Sequence, residues 1–239
     1  MIVLTTAIGY GVEQVEPFIT SLKATGYKGR IACVCDACPA REWLIEQGVE
    51  IVNDIPSGFH VNTRRFLAWK EKLRGIDEPA ILSDIRDVIF QSNPETHMPT
   101  EGIHAYQEDE SMTISSCPYN SQWMHEIFGV VKHGDKPIIC AGITAGRLVE
   151  YCTVMWEALR TLPARVGLDQ AIHNHICRSG RLAVTIHPRG DGGVNTIGYC
   201  ESVEVENGII GEGQCMVHQY DRFPHIMEKH DGRRTIRRG

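Results

Sequence analysis

One apolar segment interrupted by charge organises this chain: Ala80-Ile-Leu-Ser-Asp-Ile-Arg-Asp-Val-Ile-Phe90. Bounded by Pro79 and by Asn93-Pro94, it is typical of a buried strand that ends within the segment. Carboxylates beside so much hydrocarbon are costly unless a cation or hydrogen-bond donors compensate them. On a straight strand Asp84 and Asp87 would point to opposite faces. A turn at the strand end would bring both to one rim, which predicts a ligand site there.

Strands and helices alternate through the residues before this segment. The apolar spacing predicts strands at 2–8, 30–36, 49–53 and 80–84 and helices at 12–24, 39–47 and 62–73. This repetition is typical of a parallel α/β sheet with helices on both faces. Ligands bind outside the carboxyl ends of the strands in such sheets. The end of the first strand, Thr5-Thr6-Ala7, would therefore share an edge with Asp84 and Asp87.

The second half of the chain has a more mixed pattern. It predicts strands at 103–107, 138–144, 182–187 and 216–220 and helices at 148–159 and 169–177. No internal repeat and no obvious linker separates the two halves. We therefore expect a single α/β domain over residues 1–239.

Composition excludes several classes of protein. The formal charge of -6 argues against wholesale nucleic-acid binding, which needs a basic face. No apolar run approaches the roughly 20 residues needed to span a bilayer. The chain begins as a strand without a basic leader, and nine cysteines, an odd number, fit a reducing compartment. We expect a cytoplasmic protein.

Two further segments have a functional and a structural interpretation. Cys33, Cys35 and Cys38 suggest a metal site, but no second Cys/His cluster at zinc-like spacing accompanies them. We interpret them as buried strand cysteines. The basic segment Arg233–Arg238 is interpreted as a solvated tail, with weak contact to an anionic membrane surface as the alternative.

Several phosphate-binding and nucleophile motifs are absent from the sequence. There is no GxGxxG after the first strand, no GxxxxGK[ST] and no GxSxG. If a phosphate ligand binds, we expect a metal rather than a glycine-rich loop to hold it.

The segment Ser83-Asp-Ile-Arg-Asp87, followed by Val88-Ile-Phe-Gln91, resembles the aspartate motif of nucleotide-sugar glycosyltransferases with the GT-A fold. The common spacing in that family is Asp-x-Asp, whereas here it is Asp-x-x-Asp. The longer string is similar to a subgroup of bacterial and viral polysaccharide enzymes. That subgroup includes the N-terminal glycosyltransferase domain of a chlorella-virus protein.

Four other segments resemble the same family in the same order: 62–66, 140–146, 167–170 and 217–222. Together the matches span residues 2–222. The resemblance implies a single GT-A type α/β domain with a Rossmann-like mixed central sheet and helices on both faces. It also implies a nucleotide-binding half at about 1–95 and an acceptor-side half at about 96–225. A basic tail at 226–239 would follow.

A divalent cation would stabilise the leaving diphosphate as a Lewis acid in such an enzyme. Carboxylates with an imidazole suit Mn²⁺, and Mg²⁺ suits the site if oxygen ligands dominate. Asp87 is the first candidate ligand. Asp84 would bind the metal directly, bind it through water, or hold the ribose. His218, in the matched closing motif, would be the third ligand.

Other residues are candidates for contact with the nucleotide sugar. The full set of binding candidates is Thr6, Ala7, Tyr10, Arg65, Asp84, Arg86 and Gly142. The guanidinium groups of Arg65 and Arg86 suit diphosphate oxygens. The alternative for Arg86 is an ion pair with Asp84 or Asp87, and the alternative for Thr6 and Ala7 is a plain strand end.

Asp169 and Gln170 are the candidates for direct chemistry. Asp169 could act as a general base or stabilise an oxocarbenium-like centre, and the alternative is a helix N-cap. The side-chain carbonyl of Gln170 could also stabilise that centre. His173 and His175 diverge at this helical spacing, so we reject a nuclease-like pair. The loop Gly190–Gly193 is either a mobile loop beside the site or a surface turn.

The sequence thus favours a metal-dependent, retaining glycosyltransferase. It would transfer a sugar from a nucleotide diphosphate sugar, with UDP as the expected nucleotide, to a glycan hydroxyl. The alternatives are a sugar-nucleotide hydrolase, a nucleotidyltransferase, or an inactive binding protein that kept the fold.

Overall fold

Strand and helix alternate up to Ser83, as the apolar spacing predicts. The computed structural model describes residues 1–54, 58–76, 78–201, 203, 205–206, 209–210 and 213–231. The elements of the first half are β1 (Ile2–Ala7), α1 (Val12–Ala24), β2 (Arg30–Cys35), α2 (Ala40–Glu46), β3 (Glu50–Asn53), α3 (Val61–Leu73) and β4 (Ala80–Ser83). Each agrees with its predicted element to within one or two residues.

The second half contains more elements than the sequence predicts. They are β5 (Val88–Phe90), α4 (Pro94–His97), β6 (Ile103–Gln107), α5 (Pro118–Phe128), β7 (Ile139–Gly146), α6 (Val149–Leu159), α7 (Leu168–Arg178), β8 (Val184–His187), β9 (Val194–Thr196), β10 (Val205–Glu206), β11 (Ile209–Ile210), β12 (Met216–His218) and α8 (Pro224–Asp231). The strand predicted at 216–220 ends at His218, and a 3₁₀ turn (Tyr220–Arg222) follows. The predicted basic segment Arg233–Arg238 lies outside the described residues.

Seven strands form the central sheet in the order β3-β2-β1-β4-β7-β6-β8. Strands β1 to β4 are parallel, β7 is antiparallel to both of its neighbours, and β8 is parallel to β6. The predicted mixed sheet is therefore confirmed. The four strands of the first half lie side by side with the three strands of the second half, and β4 pairs with β7, so neither half has a central sheet of its own.

Helices cover both faces of this sheet. Successive residues of β1 point to opposite faces, so its apolar side chains pack against helices on each side. Val3 packs with α1 side chains such as Phe18 on one face. Ile2 and Leu4 pack with α3 and α6 on the other face, where Trp69 is fully buried. Burial of each large apolar side chain contributes about 1.5–3 kcal/mol. Among the described residues no helix combines the length and apolarity needed to cross a membrane.

In a second, three-stranded sheet, the C-terminal strand β12 lies beside β5, the strand that follows β4. The order of this sheet is β5-β12-β9, with β12 antiparallel to β5 and parallel to β9. The turn Asp84–Asp87 therefore connects the two sheets. The Asp84 N–H donates to Gly142 O of β7 (2.8 Å), and the Gln219 N–H, just after β12, donates to Asp87 O (2.7 Å). Both ends of the turn are fixed by distant segments.

Candidate functional site

A cavity of about 590 Å³ opens at the carboxyl ends of β1 and β4. Among its lining residues are all but one of the residues that the sequence singles out: Thr6, Tyr10, Arg65, Asp84, Arg86, Asp87, Gly142, Asp169, Gln170 and His218. These residues come from the whole length of the chain. The exception is Ala7, whose side chain is fully buried in the core against α1 and therefore does not reach the cavity.

Three potential metal ligands converge at one end of this cavity. One ligand atom each from Asp84, Asp87 and His218 can be chosen so that all lie within 4.8 Å of one another. His218 Nε2 lies 3.7 Å from Asp87 Oδ2. Burial raises the pKa of Asp87, and Asp84 raises it further, whereas His218 lowers it. A cation here would relieve the cost of burying this carboxylate.

The other nitrogen of His218 is occupied, which fixes the orientation of the ring. His218 Nδ1 lies 3.4 Å from Cys140 Sγ and 3.5 Å from Thr196 Oγ1. The ring is almost fully buried. Partners on the second nitrogen are typical of metal-ligating histidines, since they hold the free nitrogen toward the ion.

Gly142 leaves the space in which this cluster sits. A Cβ on Gly142 would lie 2.6 Å from His218 Nε2 and 3.0 Å from Asp84 Oδ2. Two carboxylates, one imidazole and a gap that any side chain would fill together fit a divalent cation. The donor set suits Mn²⁺ or Mg²⁺.

Arg65 connects the cluster to the start of α7. Its guanidinium donates to Asp84 Oδ1 (2.7 Å) and to Asp169 Oδ2 (3.1 Å), and the residue is only 6% exposed. It also lies over the rings of Phe66 and Trp69. Arg65 therefore holds two cavity carboxylates at a fixed separation, and both of its terminal nitrogens are engaged by them.

Asp169 is not the N-cap of α7. The cap position is Gly167, which has no side-chain cap, and the Asp169 carboxylate accepts from Arg65 and from Asn62 Nδ2 (3.3 Å). The capping interpretation is therefore wrong. Burial raises the pKa of Asp169, while Arg65 and Asn62 hold it down.

Gln170 uses both ends of its amide to hold β7. Its Oε1 accepts from Ala141 N and its Nε2 donates to Ile139 O, each at 2.8 Å. The side chain thus lines the cavity while its carbonyl has one lone pair engaged by the backbone.

Arg86 and Thr6 both line the cavity, but their side chains differ in hydrogen bonding. Arg86 Nη2 donates to Asp221 Oδ2 (2.9 Å), so the ion pair expected with Asp84 or Asp87 is replaced by one with a residue after β12. The buried Thr6 Oγ1 has no hydrogen-bond partner among the described residues. That hydroxyl is free to bond a ligand.

Glu108 is a cavity residue that the sequence analysis missed. It follows β6, is 4% exposed, and its Oε2 has no partner in the described part of the chain. Burial raises its pKa, whereas His218 and Cys140 lower it. An acidic residue directly after a predicted strand was a usable signal. Asn120 and Trp123 also line the cavity, but they lie on α5, which was not predicted.

The structure shows the positions of two further features that the sequence analysis discusses, a histidine pair and a glycine-rich loop. The His173 ring contacts Tyr151 (2.7 Å), whereas His175 contacts His133 (3.2 Å), so the two imidazoles do diverge. The loop Gly190–Gly193 forms a turn closed by a bridge to Val194 and contributes no residue to the cavity lining.

Comparison with known proteins identifies the fold. No family model matches the chain, and no curated protein matches it. A solved structure of an active-site glutamine-to-glutamate mutant of LgtC superposes with a TM-score of 0.58 at 12% identity, covering 91% of this chain and 86% of LgtC. The galactosyltransferase LgtC in complex with donor and acceptor sugar analogues gives 0.54 at 13% identity over the same shares. The protein has a GT-A-like α/β fold; these matches do not extend to the chlorella-virus subgroup.

Proposed function

We propose that this protein is a metal-dependent glycosyltransferase. It transfers a sugar from a nucleotide diphosphate sugar, with UDP as the expected nucleotide, to a hydroxyl group of a glycan, with retention of anomeric configuration. The convergence of Asp84, Asp87 and His218 at one end of the cavity is the observation that carries the proposal. The GT-A-like fold shared with a galactosyltransferase supports it. A cytoplasmic location remains part of the proposal.

The three converging side chains would hold Mn²⁺ or Mg²⁺, which supplies Lewis-acid stabilisation of a leaving diphosphate. The protein's own side chains would bind the diphosphate and position the carboxylates. Arg86, which lines the same end and keeps further N–H donors beyond its bond to Asp221, suits diphosphate oxygens. Arg65 positions Asp84 and Asp169 through its two ion pairs, and it lines the cavity with N–H groups beyond those pairs, which suit the donor in the same way.

Asp169 and Gln170 would act at the sugar. Both lie at the N-terminal end of α7 and line the cavity. The Asp169 carboxylate, held by Arg65 and Asn62, can accept a proton from an acceptor hydroxyl or stabilise positive charge at the anomeric carbon. The Gln170 carbonyl oxygen retains a lone pair for the same carbon.

Calorimetric titration with UDP, GDP, CMP and dTDP, with and without Mn²⁺, tests the proposal. Metal-dependent binding of one nucleotide diphosphate is expected, and Asp87→Asn or His218→Ala should abolish the metal dependence. The matched control is Asp135→Asn, at an exposed aspartate outside the cavity, which should bind like the wild type. Absence of nucleotide binding under every condition would favour an inactive scaffold and contradict the proposal.

Product analysis separates transfer from the alternatives. With the preferred donor sugar and a panel of glycans, NMR of the product should show a new glycosidic bond with retained configuration. Release of free sugar with every glycan present would indicate a hydrolase. An inverted product would overturn the stereochemical part alone.

A further inference from the structure

A second cluster of potential ligands lies at the carboxyl end of β2, outside the cavity lining. One ligand atom each from Cys35, Asp36 and Cys38 can be chosen so that all lie within 4.8 Å of one another. The two sulfur atoms are 3.5 Å apart. Cys35 ends the strand and Cys38 lies just before α2, so the backbone turn itself brings the two thiols together.

The geometry of the two sulfurs suits a shared tetrahedral ion. Two thiolates at about 2.3 Å from a tetrahedral Zn²⁺ are about 3.8 Å apart, close to the separation seen here. The Asp36 carboxylate can supply a third ligand, because it has two oxygens and the Gly9 N–H donates to one of them, Oδ1 (3.1 Å). Asp36 is partly exposed, which gives water access to a fourth position.

Charge balance also favours a cation. Bound to a metal, the two sulfurs and the carboxylate would carry three negative charges, and Arg41 lies beside them. Its Nη1 donates to the backbone carbonyls of Cys35 and Asp36, each at 3.3 Å, not to the ligand atoms. The thiols donate to backbone carbonyls, Cys35 Sγ to Asp36 O (3.3 Å) and Cys38 Sγ to Ala7 O (3.6 Å), and metal binding would replace these weak S–H bonds.

We propose that Cys35, Asp36 and Cys38 form a binding site for a thiophilic divalent cation of the Zn²⁺ class. The site is separate from the cluster of Asp84, Asp87 and His218 and differs from that cluster in its ligand atoms. Sulfur ligands select Zn²⁺, whereas carboxylates with one imidazole accept Mn²⁺ or Mg²⁺. Cys33, Cys35 and Cys38 are all buried, as the sequence analysis expects, and the proposal adds a ligand role for two of them. The new site does not depend on the proposed transferase activity.

A cation here would fix one wall of the cavity. The end of β1 and the loop after it contact the cluster directly, because the Gly9 N–H donates to Asp36 and Cys38 Sγ donates to Ala7 O (3.6 Å). The same loop is bonded to the start of α2 by the Ala40 N–H, which donates to Tyr10 O (3.0 Å). Ionisation of Cys38 gives up its S–H bond to Ala7, and the metal bond replaces it. Tyr10 lines the cavity, so the ion would act as a structural brace for that wall.

Cobalt titration of the reduced full-length protein tests this site directly. Bound Co²⁺ should give the intense near-ultraviolet band of thiolate-to-metal charge transfer at one equivalent, and Zn²⁺ should displace it. Cys38→Ser should weaken Co²⁺ binding by about 100-fold or more, since even loss of a supporting partner costs about 10–100-fold. Cys152→Ser, at a buried cysteine in the α6 core, is the matched control and should retain the band.

The same titration in Asp87→Ala excludes the other cluster as the source of the signal, so the band should persist there. Absence of the band in the wild type, its persistence in Cys38→Ser, or its loss in Asp87→Ala would each overturn the proposal. Mass spectrometry of the untreated protein adds a further check. A Cys35–Cys38 disulfide whose reduction yields no metal affinity would assign these thiols to redox chemistry instead.

Discussion

At the residue scale, Gly142 shows how a missing side chain can define a site. Its contacts with His218 and Asp84 leave no room for a methyl group, although its backbone is compatible with other residues. The constraint is therefore steric and acts on the cation ligands rather than on the fold.

Gly142→Ala should weaken Mn²⁺ binding by about 10–100-fold, because His218 must move away from the carboxylates. The melting temperature should change little. The matched control is Gly58→Ala, because a Cβ on Gly58 meets no atom of the described residues within 4 Å. Calorimetry with Mn²⁺ measures both variants, and wild-type affinity in Gly142→Ala would contradict the assignment of the cluster.

Arg65→Met should destabilise the protein by about 3–5 kcal/mol, since it leaves the buried Asp169 without its cation and Asp84 without its partner. Urea unfolding measures this change. The stability of Arg65→Lys should lie between those of the wild type and Arg65→Met, because one ammonium group cannot reproduce the forked contact. Arg74→Met is the control, because Arg74 is 66% exposed in its pair with Glu71, and it should change stability by less than about 1 kcal/mol.

Asp169→Asn should lower the transfer rate by about 100-fold or more while Mn²⁺-dependent nucleotide binding is kept. The amide preserves the shape but carries no negative charge, so it is a poor base and stabilises positive charge less than the carboxylate does. Steady-state rates and calorimetry on one preparation separate the two effects. Unchanged turnover would reduce Asp169 to a structural partner of Arg65.

At the scale of elements, β7 is shaped by its contacts with α7. Tyr106 of β6 pairs with Cys140 and Ala105 with Thr144, so residues 141–143 have no partner on β6. This bulge carries Gly142 toward the cavity, as bulges next to active sites often do. The side-chain amides of Gln170 and Asn174 bond the β7 backbone at Ile139 and Ala141.

Gln170→Ala and Asn174→Ala form a matched pair. Each removes side-chain bonds to β7 and should cost about 1–3 kcal/mol of unfolding free energy. Only Gln170 lines the cavity, so only Gln170→Ala should also lower the transfer rate. Equal loss of rate in both variants would mean that Gln170 acts through the position of β7 alone.

The helix α5 marks the limit of prediction at this scale. Its residues 118–128 lack a clear apolar period, and only Asn120 and Met124 are fully buried. A helix of this length is marginal by itself and is stabilised by packing, here against α7. By contrast, the elements up to β4 carry strong local periodicity and were predicted to within one or two residues.

At the scale of the whole molecule, a buried neutral histidine links stability to pH. His173 is fully buried against Tyr151, and burial together with the charges of Arg178 and Arg65 lowers its pKa to about 3. The unfolded chain has a histidine pKa of about 6.5. Between these values the unfolded state binds one more proton, so this contribution to stability is lost as pH falls.

His173→Gln should therefore reduce the pH dependence of the unfolding free energy between about pH 4 and about pH 6 by up to about 1 kcal/mol per pH unit. Glutamine can still contact Tyr151 but does not titrate. Urea unfolding across this range measures the slope. His225→Gln, at an exposed histidine on α8, is the control and should leave the slope unchanged.

The sequence by itself determined the β-α alternation and the strand end at which Asp84 and Asp87 lie. These features follow from local apolar periodicity, which each segment carries on its own. Only the tertiary structure decided that Arg65 bridges Asp84 and Asp169, a residue 104 positions away, and that Arg86 pairs with Asp221. It also decided that Ala7 faces the core and that Asp36 joins two cysteines. Such partnerships depend on how distant elements pack against one another, and no local pattern records them.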